Sequence, residues 1–124
     1  MGSLVKKGKH MGLDQIAIAA KDGEEKIIAE WRKHNRLQGW MEKLYRSQGG
    51  TEVFNCKPID LTVDNINSLE DSVRNAELPK TEGFFFGSDS YEWMNHYANQ
   101  DLEFVEKAKE ALADGWTVTY SCWW

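Results

Sequence analysis

The 124-residue chain is short of cysteine and proline, with two of each, and it contains no long apolar run. Each shortage excludes something. Cys56 and Cys122 are too few and too widely spaced for a disulfide framework or a CxxC metal site, so they read as buried free thiols in a reduced, cytoplasmic compartment. With 41% hydrophobic and 28% charged residues, the composition is that of a folding domain and excludes collagen-like, low-complexity and disordered classes. A membrane-spanning helix needs roughly 20 successive apolar residues, and no apolar run follows the basic N-terminus; a soluble domain without membrane anchor or signal peptide is expected. Basic charge is also scarce, with 15 Lys and Arg against 20 Asp and Glu and a net charge of −5. Residues 1–10 read as an expression-tag remnant, with Met11 as the natural start. Without Lys6, Lys7 and Lys9 of that remnant the charge moves from −5 by three to −8. Such acidity argues against general nucleic-acid binding, which needs clustered basic groups to meet phosphates. Residues 11–124 are expected to form one globular domain.

What is present divides by hydrophobic period. Leu13 to Ala20 and Ile27 to Trp31 are apolar segments with partial alternation, and Lys21-Asp22-Gly23-Glu24 between them is a hairpin signal because Asp-Gly adopts the positive backbone angles of tight turns. Alternation puts Ile27, Ala29 and Trp31 on one face and Ile28, Glu30 and Arg32 on the other; a helix starting near Glu24 is the competing reading. From about Asn35 the period lengthens, with Leu37, Trp40, Met41, Leu44 and Tyr45 on one helical face and Gln48-Gly49-Gly50 as the stop. Gly39 within that helix implies close packing of a neighbouring backbone. A second helix follows Thr62 as N-cap, with Ile66, Leu69, Val73 and Ala76 facing inward, and ends before Pro79. A third runs from Asp101, a candidate cap, through Leu102, Val105, Ala108 and Leu112 to Gly115, while Tyr91 to Ala98 add an extra turn or two. Trp116 to Trp124 alternate cleanly and should be a strand joining the hairpin. The fold class is therefore α+β, a small antiparallel sheet packed against about three amphipathic helices.

Three segments carry candidate chemistry. Trp31-Arg32-Lys33-His34-Asn35-Arg36 is the only basic cluster outside the first ten residues, placed where a helix N-terminus presents unpaired N–H groups that suit an anion. The plainer reading makes its cations a solvated face, Trp31 core, and His34 a structural histidine. Gly83-Phe84-Phe85-Phe86-Gly87-Ser88-Asp89-Ser90 reads as a ligand loop with an aromatic floor, or equally as a plug between sheet and helices. It lacks the Gly-x4-Gly-Lys-[Ser/Thr] pattern of a phosphate loop. Glu92 and His96 share a helical face, but two ligands do not make a metal site, so no metal and no cofactor is called for. Six tryptophans, four tyrosines and five phenylalanines are more than the core of such a domain needs, and surplus aromatics mark interfaces.

The segments Ile28-Ala29-Glu30-Trp31-Arg32-Lys33-His34-Asn35, Leu37-Gln38-Gly39-Trp40-Met41, Phe54-Asn55-Cys56, Gly83 to Ser88 and Ser121-Cys122-Trp123-Trp124 resemble a family of small proteins encoded by tailed bacteriophages, including cyanophages. The resemblance runs over residues 11–124 and implies a source, the cytoplasm of an infected bacterial host, but no activity and no catalytic residue. Members sometimes bear a phosphoglycerate kinase label, which this chain is too short to support. The expected function is that of a non-enzymatic accessory protein binding a host protein or ligand through Trp31, Arg32, His34, Asn35, Trp40, Phe85, Ser88, Asp89 and Tyr91. The alternative is a binder of a nucleotide or other phosphorylated small molecule, with hydrolysis by His34 and Asp89 as its enzymatic extension. Consecutive strand residues face opposite ways, so Trp123 and Trp124 cannot share a side of the sheet; one should be buried, and the other is available to a homodimer contact.

Overall fold

A computed structural model describes residues 12–79 and 91–124, with side chains in the second stretch from Tyr97 onward. Strands β1 (Asp14–Lys21) and β2 (Glu24–Arg32) form the hairpin, α1 (Asn35–Ser47) follows, then β3 (Ile59–Leu61), α2 (Val63–Arg74), α3 (Tyr91–Ala113) and β4 (Thr117–Trp123). Asp22 and Gly23 have φ of 53° and 83°, the paired positive angles that a two-residue hairpin turn requires. The four strands are ordered β2-β1-β4-β3, every pairing antiparallel, and the fold is α+β. β4 joins the hairpin by pairing along the free side of β1; its opposite side takes up β3, a three-residue strand too short to show as an alternating pattern.

One sheet face is the core. Gln15, Ala17 and Ala19 of β1, Val118, Tyr120 and Cys122 of β4, and Ile59 and Leu61 of β3 are buried beneath Leu37 and Met41 of α1, Ile66, Leu69 and Val73 of α2, and Phe104, Val105, Ala108 and Ala111 of α3. Strict alternation in β2 fails at one place. Ala17 pairs with Ala29 but Ile18 with Ile27, so Ile28 is the extra residue of a bulge, and parity reverses there. As a result Ile28 is buried along with Trp31, while Ile27 stands opposite Ile18 on the outer face with 54% of its surface exposed.

The third helix also differs from expectation. Asp101 does not cap it: Tyr91 to Ala113 is one continuous helix of 23 residues, and Asp101 lies inside it, 1% exposed. The cap of α2 is as the sequence indicates, for Thr62 and Asn65 exchange side-chain and backbone hydrogen bonds at 2.9 and 3.1 Å. Its inner face ends at Val73, because Ala76 lies beyond the helix at φ 55° and is exposed. The stop of α1 is closed by backbone bonds from Gln48 and Gly49 back to the last turn.

Candidate functional site

The chain leaves β2 through Lys33, whose φ of 59° turns the backbone sharply while its N–H still reaches Leu13 O at 2.8 Å. That turn drives the next residue inward. His34 becomes the N-cap position of α1, yet its side chain makes no capping bond and instead points at α3. There Nε2 lies 2.8 Å from Asp101 Oδ2, and Trp31 Nε1 donates to Asp101 Oδ1 at 2.9 Å. Tyr97, one turn before Asp101, stacks on the imidazole at 4.3 Å between centroids and 11° between planes, and its hydroxyl donates to Arg32 O. Phe104 meets Trp31 edge-on at 5.1 Å.

From His34 a hydrogen-bonded chain crosses the core. Gln15 Oε1 accepts the His34 N–H at 2.9 Å while Gln15 Nε2 donates to His34 O at 2.9 Å, so a single amide side chain clasps both backbone groups of one residue. The same Nε2 lies 3.0 Å from the Tyr120 hydroxyl, which donates to Gln38 Oε1 at 2.6 Å; Gln38 Nε2 in turn faces Cys122 Sγ at 3.2 Å. Burial pushes the Tyr120 hydroxyl well above its usual range, and the buried Cys122 thiol is raised to about 11 for the same reason. Every polar group in this chain is committed to another, which fixes strand β1, strand β4 and helices α1 and α3 in one arrangement.

The sequence-predicted contact residues therefore separate. Trp31, His34 and Asn35 are buried at 4%, 1% and 4% exposure. Trp40 is half-buried against the core on the outward flank of α1. Arg32 is exposed and forms an ion pair with Asp14 at 3.3 Å. Phe85, Ser88 and Asp89 lie outside the described residues, and of Tyr91 only its place at the start of α3 is described. The plainer reading of the basic cluster thus holds for Trp31, which is core, and for Arg32, which is solvated.

What the structure brings together around Arg32 is a groove of about 530 Å³ between the outer sheet face and the start of α3. Its walls are Asp14, Gln15, Ile16, Ile27, Glu30, Trp31 and Arg32 from the hairpin, Trp123 from β4, and Tyr97 and Gln100 from α3, so Trp31 and Arg32 are the two sequence-predicted contact residues that line it. Gln100 and Tyr97 donate to the outward carbonyls of Glu30 and Arg32, so the last part of the β2 edge is closed to another strand while its side chains stay accessible. Trp123 enters the groove because it falls on the face opposite Cys122; its neighbour Trp124 turns inward, its indole donating to Phe54 O at 3.2 Å and its N–H to Asn55 Oδ1 at 3.1 Å. Asp14, Glu30 and Ile27 were not singled out from the sequence. The alternation around Arg32 marks two of them, but Ile27 reaches the groove only through the bulge.

Among the described residues no group of three or more His, Cys, Asp or Glu is placed to hold a metal ion, and no helix is long and apolar enough to cross a membrane. The chain matches no protein-family model, no curated protein and no solved structure.

Proposed function

We propose that this chain is a small accessory protein of a tailed bacteriophage that acts in the cytoplasm of its host by binding a host protein, without catalysis. The observation that carries the binding reading is the division of labour around Arg32: the one histidine–carboxylate pair among the described residues is sealed in the core, while the adjoining groove is open and mixes apolar with charged walls. An acid–base catalyst must reach the proton it moves, and His34 does not reach solvent. The phage origin rests on the resemblance of the segments around Trp31, Gly83 and Trp123.

The alternative, a phosphorylated small molecule, is disfavoured by charge. Among the described residues Arg32 is the sole cation lining the groove, it is already paired with Asp14, and Glu30 adds a second carboxylate. A phosphate would meet more negative than positive charge there. A protein segment carrying an apolar side chain next to a Lys or Arg fits the same walls, its cation near Glu30 and its apolar group on Ile16, Ile27 and Trp123.

The test is a comparison of host-lysate partners retained by wild type and by the groove variants Arg32→Ala, Ile27→Glu and Trp123→Ala. A partner kept by wild type and lost from the last two supports the proposal. Equal retention by all four proteins, or none by any, sinks it. A thermal-shift screen with nucleotides tests the alternative, since a ligand at 100 times its dissociation constant contributes about 2.7 kcal/mol.

A further inference from the structure

Cys56 and Cys122 lie 66 positions apart in the sequence, yet the Cys56 N–H donates to Cys122 O at 2.8 Å. With standard bond lengths, that single hydrogen bond limits the separation of the two Cα atoms to about 6.7 Å. Disulfide-bonded residues occupy the range of about 4.4–6.8 Å. The two thiols differ in access: Cys122 is buried as expected, but Cys56, also expected to be buried, is exposed. Cys56 sits at φ 61°, a left-handed position on the loop before β3, and the Asn55 side chain next to it holds the end of the chain through bonds to Trp124 N and O at 3.1 and 3.2 Å. The loop and β4 are thus already held in register on both sides of the cysteine pair.

We propose that Cys56 and Cys122 form a thiol–disulfide exchange site that is oxidised by low-molecular-weight disulfides of the glutathione type. Cys56, as its thiolate, attacks one sulfur of the reagent, forming a mixed disulfide and releasing the other half as a thiol. Cys122 then gives up its proton to solvent and attacks Cys56 Sγ, forming the intrachain bond and expelling the second half of the reagent, which takes up a proton. The chain loses two protons and two electrons; the reagent's disulfide is reduced to two thiols.

The environment assigns the order of attack. Burial keeps Cys122 protonated, with its thiol raised to about 11, so it is the poorer first nucleophile. Gln38 Nε2 at 3.2 Å pulls the other way and is placed to steady negative charge on Sγ when the resolving attack occurs. Because Gln38 also accepts from Tyr120, the bond forms at one end of the hydrogen-bonded chain that runs to His34.

The experiment treats the reduced full chain with glutathione disulfide and reads intact mass, thiol titre under denaturing conditions, and melting temperature. Wild type should become lighter by two hydrogens, lose both thiols, carry no glutathione, and melt about 5 °C or more higher, as expected when a disulfide closes a loop of this length. Dithiothreitol should reverse the changes in mass, thiol titre and melting temperature. Cys56→Ser should remain unmodified while folded. Cys122→Ala, checked for a native circular dichroism spectrum, should stop at one stable glutathione adduct on Cys56. A wild-type chain that keeps the adduct with Cys122 still titratable, that couples to a second chain through Cys56, or that does not react overturns the proposal. Cys56→Ser supplies the control if the Cys122 variant does not fold.

Discussion

Asp101 accepts from both the Trp31 indole and the His34 imidazole, so each carboxylate oxygen has one buried donor. Asp101→Asn preserves shape but turns an NH2 group toward one of those donors. The expected cost is about 3 kcal/mol, read as a lower urea midpoint at unchanged m-value. Tyr120 and Cys122 give the fold an alkaline limit. Both have folded-state pKa values raised by burial, so above the ordinary thiol value of 9.0 the unfolded chain releases protons that the folded one retains. Their contribution is complete below about pH 9 and declines as pH rises, for Cys122 through the interval up to about 11. A urea series from pH 7 to pH 11 should show the midpoint falling only at the alkaline end, and Cys122→Ala should flatten that fall; a midpoint that rises above pH 9 contradicts the assignment. At this scale the sequence reveals residue types but not pairings. His34 and Trp31 are visible as unusual residues beside a predicted helix start, whereas their partner is 67 and 70 residues away and has an equally good local role as a helix cap. Only the tertiary packing of α3 against β2 decides between those roles.

Elements that depend on local chemistry were the legible ones: the Asp22-Gly23 hairpin, the Thr62 cap, the α1 stripe and the alternation of β4 each follow from neighbours within a few positions. Thr62→Ala should cost about 1 kcal/mol, because the Asn65 N–H loses its acceptor, Thr62 Oγ1; thermal melting will show it, and an unchanged melting temperature contradicts the cap. The bulge at Ile28 and the three-residue β3 were not legible, since one extra residue reverses facing without altering composition and three residues are too few for a period. The end of β4 offers a sharper contrast between neighbouring side chains of the same type. Trp124→Ala removes a packed indole and its bond to Phe54 O and should lower stability by about 3 kcal/mol. Trp123→Ala, on the groove face, should change stability far less. Equal losses for the two variants in parallel urea titrations contradict the division of faces described for β4.

In the molecule as a whole, the helices cover one side of the sheet and leave Ile16, Ile18, Ile27 and Trp123 along the other, among Asp14, Glu30 and Arg32. The sequence supports the sheet-and-helix plan and an excess of aromatic residues, but three of the contact residues it suggests, Trp31, His34 and Asn35, are drawn inward by the fold. Hydrophobic pattern reports how much surface is to be buried; it does not say which of several aromatic side chains a distant carboxylate will claim. The strand order β2-β1-β4-β3 has a consequence for synthesis. β1 is made before the other three strands and β4 after them, yet β4 fills the position between β1 and β3. Until it arrives, the hairpin has a free inner edge and β3 has no neighbour in the sheet. Nascent chains arrested before β4 emerges should therefore be digested readily by protease. Protection should appear in one step when that strand clears the exit tunnel, because non-local pairing closes the core only at that moment.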